Sequence, residues 1–390
     1  MSCSYAEGLS DYANKGKLGL PESFDSPEDL KSKVKILSEW LQAAQTTVFH
    51  TGAGISTSAG IPDLRGPKGV WTLEKKGLKP SVSLDWLGAK PTKTHMAIKA
   101  LVDKGKVQFV ISQNIDGLHL RSGIQRHQLS ELHGNMFIDK CGTCSRMFVR
   151  PTPSKTVGQK TLGDACPGRR SNGRPCRGKV HDFTLDWEDS LPDEDLDLSH
   201  SFSVLADLSI VLGSTLQIIP SGTLPTYAKK YESVRTNGGK LVIINLQPTK
   251  HDSKADLIIR GYVDDIMAQL FDELGYDVPE YDKEIDPIRM MDKSKDPNFF
   301  IDWTQSEKEA KKIIIKSDRL EDALKMKRKK DREVTAKLAS KKNKSLCDDE
   351  EEKNNRGEVL NNIFILKKEE TDHCNGENAS SFELKNEKDL

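Results

Sequence analysis

The 390-residue sequence predicts an α/β fold: a parallel sheet with helices between its strands, a small cysteine-rich insertion and a charged tail. Three observations carry this. Short β-rich runs alternate with segments long enough to form crossover helices, the pattern of a parallel sheet. Four of the seven cysteines fall between Cys141 and Cys176, where that rhythm breaks. Charge is balanced overall, with 59 basic and 59 acidic residues, yet 42 of the last 90 positions are charged.

The first element is a helix from Ser26 to Gln45. Ser26 suits the N-cap, Pro27 the first helical position, and Asp29 closes a Ser-x-x-Asp box. Leu30, Val34, Leu37 and Leu41 then recur at helical spacing. Thr46 to His50 reads as a buried strand running into a glycine-rich turn. Further β-rich runs are Val107–Ser112, Leu208–Leu212, Leu241–Ile244 and Leu257–Ile259, with crossover helices expected at Lys93–Lys104 and Val263–Leu274. From Asp139 to Val180 the chain is rich in Cys, Gly, Pro and Arg, as a small inserted module should be.

Beyond Asp286 the apolar pattern decays. Positions 308–344 have helical potential but few apolar residues, and positions 325–344 carry ten basic residues against Asp331 and Glu333. Five acids follow at Asp348 to Glu352. Such a polyampholyte buries too little apolar surface to offset its ordering entropy, so residues 286–390 are expected to be a mostly disordered extension. A zero net charge excludes a uniformly basic nucleic-acid coat and an acidic solubiliser. No apolar run reaches the roughly 18 residues of a membrane span, and the first 25 residues hold no signal-peptide core, so export is not expected.

Four stretches carry chemistry. Gly52-Ala53-Gly54-Ile55-Ser56 follows a strand, as a dinucleotide-binding turn does, because glycine lets the backbone approach a pyrophosphate closely. A tight strand-to-helix turn would need the same glycines. Gly60 lies too far along for a Gly-x-Gly-x-x-Gly fingerprint, and no acidic residue closes a second strand, which disfavours a dehydrogenase. Gln113-Asn114-Ile115-Asp116 follows the second strand, where amides and a carboxylate could grip a ribose and a polar ring, or form only an Asx turn. His133, between Leu132 and Gly134, suits a general base on a loop, although a lone histidine is often structural. Cys141-x-x-Cys144 with Cys166 and Cys176 suits a tetrahedral, structural zinc site; a redox thiol cluster is the alternative.

Taken in order, these motifs resemble the sirtuin family of NAD-dependent protein deacylases, from about Tyr5 to Pro279. The resemblance also rests on Gly60-Ile61-Pro62-Asp63-Leu64-Arg65. Ser4-Tyr5-Ala6, Asp186-Trp187-Glu188-Asp189-Ser190-Leu191-Pro192 and Asn245-Leu246-Gln247-Pro248-Thr249-Lys250-His251 resemble the nuclear, chromatin-associated sirtuin-6 type. The resemblance implies a Rossmann-like NAD-binding domain (26–138 and 182–280), an inserted zinc-binding module (139–181) and an N-terminal segment (1–25). It implies one structural Zn2+ on Cys141, Cys144, Cys166 and Cys176. NAD as co-substrate would meet Ala53, Thr57, Leu64, Arg65, Trp71, Gln113, His133, Gly213, Thr215, Asn245, Gln247 and Val263. His133 would be the catalytic base, with Asn114 and Asp116 positioning nicotinamide and its ribose.

The implied reaction is deacetylation and long-chain deacylation of lysine on histone tails and nucleosomes, releasing nicotinamide and O-acyl-ADP-ribose. The implied location is the nucleus, on chromatin, with no membrane partner. Mono-ADP-ribosyl transfer would use the same residues. A chromatin-binding scaffold with a vestigial site is the third reading. It is supported by the 325–344 block, which could contact the DNA backbone, direct nuclear import or be only a solvated charge run. The chain departs from the family at Leu64, where phenylalanine is usual, and Ser58-Ala59 and Ser214-Thr215 reverse the order expected for the sirtuin-6 type.

Overall fold

A computed structural model describes residues 9–10, 12, 14–78, 85–235, 238–294, 296 and 299–335. Residues 1–325 form one compact unit; in the second unit, 326–390, the described residues 326–335 are helical. The rest of the charged extension, including most of the 325–344 block, lies outside the described residues.

The compact unit is built on six parallel strands in the order β10-β9-β8-β1-β2-β3. These are β1 (Thr47–Thr51), β2 (Phe109–Ser112), β3 (Leu129–Glu131), β8 (Leu208–Leu212), β9 (Lys240–Ile244) and β10 (Leu257–Ile259). β1 is central: His50 registers with Ile111 of β2 on one side and Val211 of β8 on the other. Every residue of β1, β2 and β8 is buried, as a parallel sheet covered on both faces requires. Helix α1 (Pro27–Ala43) begins where the capping signals place it, with the Ser26 hydroxyl accepting the Asp29 N–H at 3.1 Å. Its buried Val34, Leu37 and Leu41 face α7 (Val263–Leu274), which also packs on α3 (Lys93–Asp103). The short helices α2 (Val70–Lys75), α4 (Leu118–Arg121), α5 (Asp193–Leu205) and α6 (Tyr227–Lys230) complete the layers. Among the described residues no helix is long and apolar enough to cross a membrane.

A second, antiparallel sheet in the order β5-β4-β7-β6 interrupts the first: β4 (Gly134–Cys141), β5 (Met147–Val149), β6 (Thr161–Ala165) and β7 (Lys179–Thr184). It starts before the compositional break at Asp139. The first half of β4, with Met136, Phe137 and Ile138 buried, belongs to the main core and so has ordinary apolar composition. β3 was not expected from the sequence, since Leu-Ser-Glu holds only one apolar residue; it forms because Val110 to Ser112 offer it a parallel edge.

The chain past Asp286 carries more structure than its composition suggests. Asp286 is fully buried, caps α8 (Pro287–Lys293) through the Ile288 N–H at 2.9 Å, and pairs with the equally buried Arg121 at 3.0 Å. Residues 300–304 then run along β5: Val149 N–H donates to Ile301 O at 3.0 Å and Trp303 N–H to Met147 O at 2.8 Å. Residues 307–325 are helical, and Leu320 and Leu324 pack with Val204 and Tyr231. A few anchors placed by tertiary contacts therefore outweigh low average hydropathy.

Replacing Asp286 with alanine strands the Arg121 guanidinium in the core. The expected loss is about 3–5 kcal/mol in urea unfolding, the cost of an uncompensated buried charge. A loss below about 1 kcal/mol would mean that the Trp86, Leu87 and Ala89 carbonyls around Arg121 satisfy it alone.

Candidate active site and zinc centre

The carboxyl ends of β1, β2, β3 and β8 converge, and each is followed by a turn carrying candidate residues. After β1, the Gly52–Gly54 turn packs directly on the turn after β8. A Cβ on Gly52 would sit 2.7 Å from the Ser214 Cβ, and one on Gly54 2.7 Å from the Gly213 Cα. Gly213 itself has φ +63°, in the left-handed region that favours glycine. Backbone closeness between two neighbouring strand ends therefore explains these glycines without a ligand. The same closeness leaves little side-chain bulk between the strand ends, the setting in which a pyrophosphate is approached by backbone.

After β2, Asn114 and Asp116 are buried and joined through Ser56. The Ser56 hydroxyl donates to Asp116 Oδ2 at 2.7 Å, and Asn114 Nδ2 reaches Gly52 O at 3.1 Å and Ser56 Oγ at 3.2 Å. Leu118 N–H closes an Asx turn on Asp116 Oδ1 at 2.9 Å. The local turn and the cross-link to the glycine loop thus coexist. Burial raises the Asp116 pKa, opposed by the Leu118 and Ser56 hydrogen bonds and the Arg121 charge. Asn114 Oδ1 has no partner among the described residues. Ser56 is the residue that sequence reasoning undervalued; it was visible only as a member of the glycine motif.

After β3, His133 is partly buried, with Nδ1 2.9 Å from Gln113 O. A carbonyl only accepts, so Nδ1 carries the proton and Nε2 keeps its lone pair. Ser221 Oγ lies 3.5 Å from that Nε2, another neighbour that no sequence signal marked. Burial holds the His133 pKa down to about 4, against the Gln113 bond and with help from the Arg65 charge, so the ring is neutral at physiological pH. Gln113 Nε2 donates to Ser214 Oγ at 3.3 Å, tying the β2 and β8 turns.

The remaining candidates are dispersed around this centre. Ala53 and Thr57 lie in two short 3-10 turns, Thr57 exposed and bonded to Gly54 O at 3.2 Å. Arg65 stacks over the Trp71 ring at 4.7 Å and donates to Lys15 O at 3.0 Å, while burial lowers its pKa to about 10. Leu64 is half-buried beside it, its carbonyl accepting the Trp71 N–H. Thr215 Oγ1 accepts from Gln217 at 3.2 Å. Asn245 Nδ2 donates locally to Gln247 O at 2.8 Å, while Gln247 Nε2 reaches the distant Leu20 O at 2.7 Å. Val263 starts α7 and belongs to the main core; no hydrogen bond joins its side chain to the others.

The four cysteines come together at the far end of β4. Their sulfurs lie within 4.8 Å of one another, with Cys141–Cys176 at 3.9 Å and Cys144–Cys166 at 3.7 Å. A tetrahedron with zinc–sulfur arms of about 2.3 Å has edges near 3.8 Å, so the donor set fits zinc. Thr143, Gly168 and Gly178 N–H groups point at Cys141, Cys166 and Cys176 sulfurs at 3.3 to 3.5 Å, the polarisation thiolates need. All four ligands are protein thiols, so the centre is a closed structural one.

Comparison with known proteins agrees with this organisation. The Sir2 family model matches residues 80–220. The NAD-dependent protein deacetylase Sirt6 of Drosophila melanogaster is 56% identical over 74% of this chain and 90% of its own length. The NAD-dependent protein deacetylase SRT1 of Oryza sativa subsp. indica is 44% identical over 72% of this chain, which spans only 56% of that longer protein. The solved structure of Sir2Tm bound to a propionylated peptide aligns at 30% identity over 63% of this chain and 100% of its own, with a TM-score of 0.46. The matched relatives are NAD-dependent enzymes, and the four-thiol module inserted in the parallel α/β fold is a structural-metal site. The chain belongs to the sirtuin (Sir2) family of NAD-dependent protein deacetylases and is Sirt6-like within it.

Two stability predictions follow from these groups. His50 and His119 are held down to about 3 by burial, and His95 well below 6.5 by burial and the neighbouring His119. Each folded pKa lies below the unfolded value, so below pH 6.5 the unfolded chain binds protons that the native state refuses. Stability is therefore fully present above that pH and falls as pH drops from 6.5 toward about 3, by at most about 1.4 kcal/mol per pH unit and histidine. Urea midpoints measured across this range should fall with acidification, and His50→Leu should flatten the slope. Zinc chelation at neutral pH should melt the antiparallel sheet in circular dichroism and abolish deacetylation together. Activity surviving full zinc removal would contradict the structural role.

Proposed function

We propose that this chain is a nuclear, chromatin-associated histone deacylase that removes acetyl and longer acyl groups from lysine, with His133 as base. The observation that carries the reading is the His133 tautomer. Its Nδ1–H is committed to Gln113 O, so Nε2 presents an unprotonated lone pair at the carboxyl end of the sheet. That is the form a base needs when it takes a proton from a ribose hydroxyl.

NAD bound over the strand ends supplies an electrophilic ribose carbon, from which nicotinamide departs. Every other task falls to the chain. Asn114, its Nδ2 fixed by Gly52 and Ser56, holds Oδ1 ready for a donor such as a carboxamide N–H. Asp116, kept in place by Ser56 and Leu118, offers a buried carboxylate to ribose hydroxyls. Arg65 stacks on Trp71, whose ring lies 5.1 Å from that of Trp187, itself stacked on Tyr12; this aromatic cluster sits beside the Leu64–Arg65 turn.

The histone and nucleosome reading draws support from charge. Residues 139–181 hold ten basic residues against Asp139 and Asp164. Arg169, Arg170, Arg174, Arg177 and Lys179 are exposed around the zinc centre. Lys327 to Lys330 add a second basic run. Both suit a polyanionic partner such as nucleosomal DNA, whose binding weakens steeply with salt.

The test is product mass. Acetylated and myristoylated histone peptides incubated with NAD should yield free lysine, nicotinamide and O-acyl-ADP-ribose, and His133→Tyr should lower turnover by at least about 100-fold. ADP-ribose appearing on protein instead would favour the transferase reading. Unchanged turnover in His133→Tyr would remove the base assignment.

A further inference from the structure

His133 sits on a turn whose two flanks are joined. Glu131 ends β3 and Asn135 is the second residue of β4. Asn135 Nδ2 donates to Glu131 Oε1 at 2.6 Å, bridging the Leu132-His133-Gly134 turn from beneath. Asn135 Oδ1 in turn accepts the Phe137 N–H at 2.8 Å, which fixes the amide plane. Both side chains are buried, Glu131 at 3% and Asn135 at 0% exposure. The other carboxylate oxygen, Oε2, receives Trp303 Nε1–H at 3.4 Å.

Trp303 comes from residues 300–304, far along the chain, and is 5% exposed. Its backbone carbonyl accepts Arg126 Nε at 3.1 Å; Arg126 grips Asp195 through two bonds of 2.8 Å; Asp195 Oδ1 accepts the Glu131 N–H at 3.2 Å. The ring of contacts closes on itself. In the same strap Phe300 packs against the four-cysteine cluster and meets the Phe148 ring edge-on at 5.6 Å. Asp302 pairs with Arg146. The strap therefore reaches the turn before β4 through Trp303 and Glu131, and the zinc end of β4 through Phe300.

We propose that Glu131, Asn135 and Trp303 are positioning residues for His133, so that the 300–304 strap is part of the catalytic unit and not merely a connection to the charged tail. The inference rests on His133 acting as base. Neither Glu131 nor Trp303 faces the reacting atoms; they act by holding the turn that aims Nε2. A buried carboxyl group that receives an N–H on each oxygen, with the backbone N–H of the same residue also committed, has one favourable orientation. Loss of the Trp303 donor frees Oε2 and lets the turn rotate, and small displacements of a base are costly.

The experiment uses the full chain carrying Trp303→Phe, which keeps the ring and deletes the N–H. Glu131→Gln is the second variant: it keeps the shape but opposes an amide to the Trp303 donor. Two rates are read on an acetyl-lysine peptide with NAD: deacetylation, which needs His133, and exchange of labelled nicotinamide into NAD, which precedes proton removal. In each folded, zinc-loaded variant deacetylation should fall about tenfold or more, while exchange stays within about twofold. His133→Ala should show the same split more strongly. Equal falls in both rates would make the clamp merely structural, and unchanged deacetylation would leave it without a role; either overturns the proposal. If Trp303→Phe does not fold, Glu131→Gln decides alone. Undiminished deacetylation in His133→Ala would instead bring down the base assignment itself.

Discussion

One strand disciplines this molecule. β4 leaves the turn that holds His133, runs through the main core as Met136, Phe137 and Ile138, and ends at Cys141 among the zinc ligands. Its start is rigid because Gly134 has φ +85°, and any Cβ there would collide with Phe183 O of the neighbouring strand. Its end is rigid because four thiols must meet one ion. The metal site and the proposed base thus stand at two ends of one extended segment, although the proposed reaction gives the cysteines no chemistry. Removing zinc would loosen the strand at its far end; disturbing the strap would act on the turn before it, through Glu131.

Around that strand the sheet supplies what the chemistry requires by geometry alone. Parallel strands end together, so the turns after β1, β2, β3 and β8 are neighbours even though their residues lie up to about 160 positions apart in sequence. Burial there helps one group and is opposed at the other. The imidazole stays neutral because charging it in a low-dielectric pocket is unfavourable. Asp116 is buried too, yet two hydrogen bonds and the Arg121 charge act to keep it ionised. Glu131, pushed up to about 8 by burial against the pull of Arg126, shows how strongly this interior taxes a carboxylate. A similar tension marks the buried histidines, whose neutral native forms weaken the fold as pH falls below 6.5.

Much of this was legible in the residues. Helix α1 was readable because Ser26, Pro27 and Asp29 act within one turn, and capping is local. β1, β2, β8, β9 and β10 were readable as apolar runs because a doubly covered strand needs no alternation. Gly52, Gly54, Gln113, Asn114 and Asp116 stood out because each falls at the end of such a run, and His133 because it is a histidine set between Leu132 and Gly134. Ser56, Ser214 and Ser221 did not stand out, since a serine's worth depends on what lies opposite it. β3 was too short to carry a pattern. The ordered part beyond Asp286 was hidden because its anchors, Asp286, Trp303 and Leu324, are single residues in a polar background.

By itself, then, the sequence determined the α/β class, five of the six strands of the parallel sheet, the four clustered cysteines and the family. These depend on local propensity and on motifs whose members lie close together. Only the tertiary structure decided which nitrogen of His133 is free, that Ser56 joins Asn114 to Asp116, and that Trp303 reaches Glu131 across 172 positions. Hydrogen bonds between distant segments are set by how the sheet brings strand ends and strap together. No residue spacing encodes them, because the intervening chain can take many lengths and still return to the same contact.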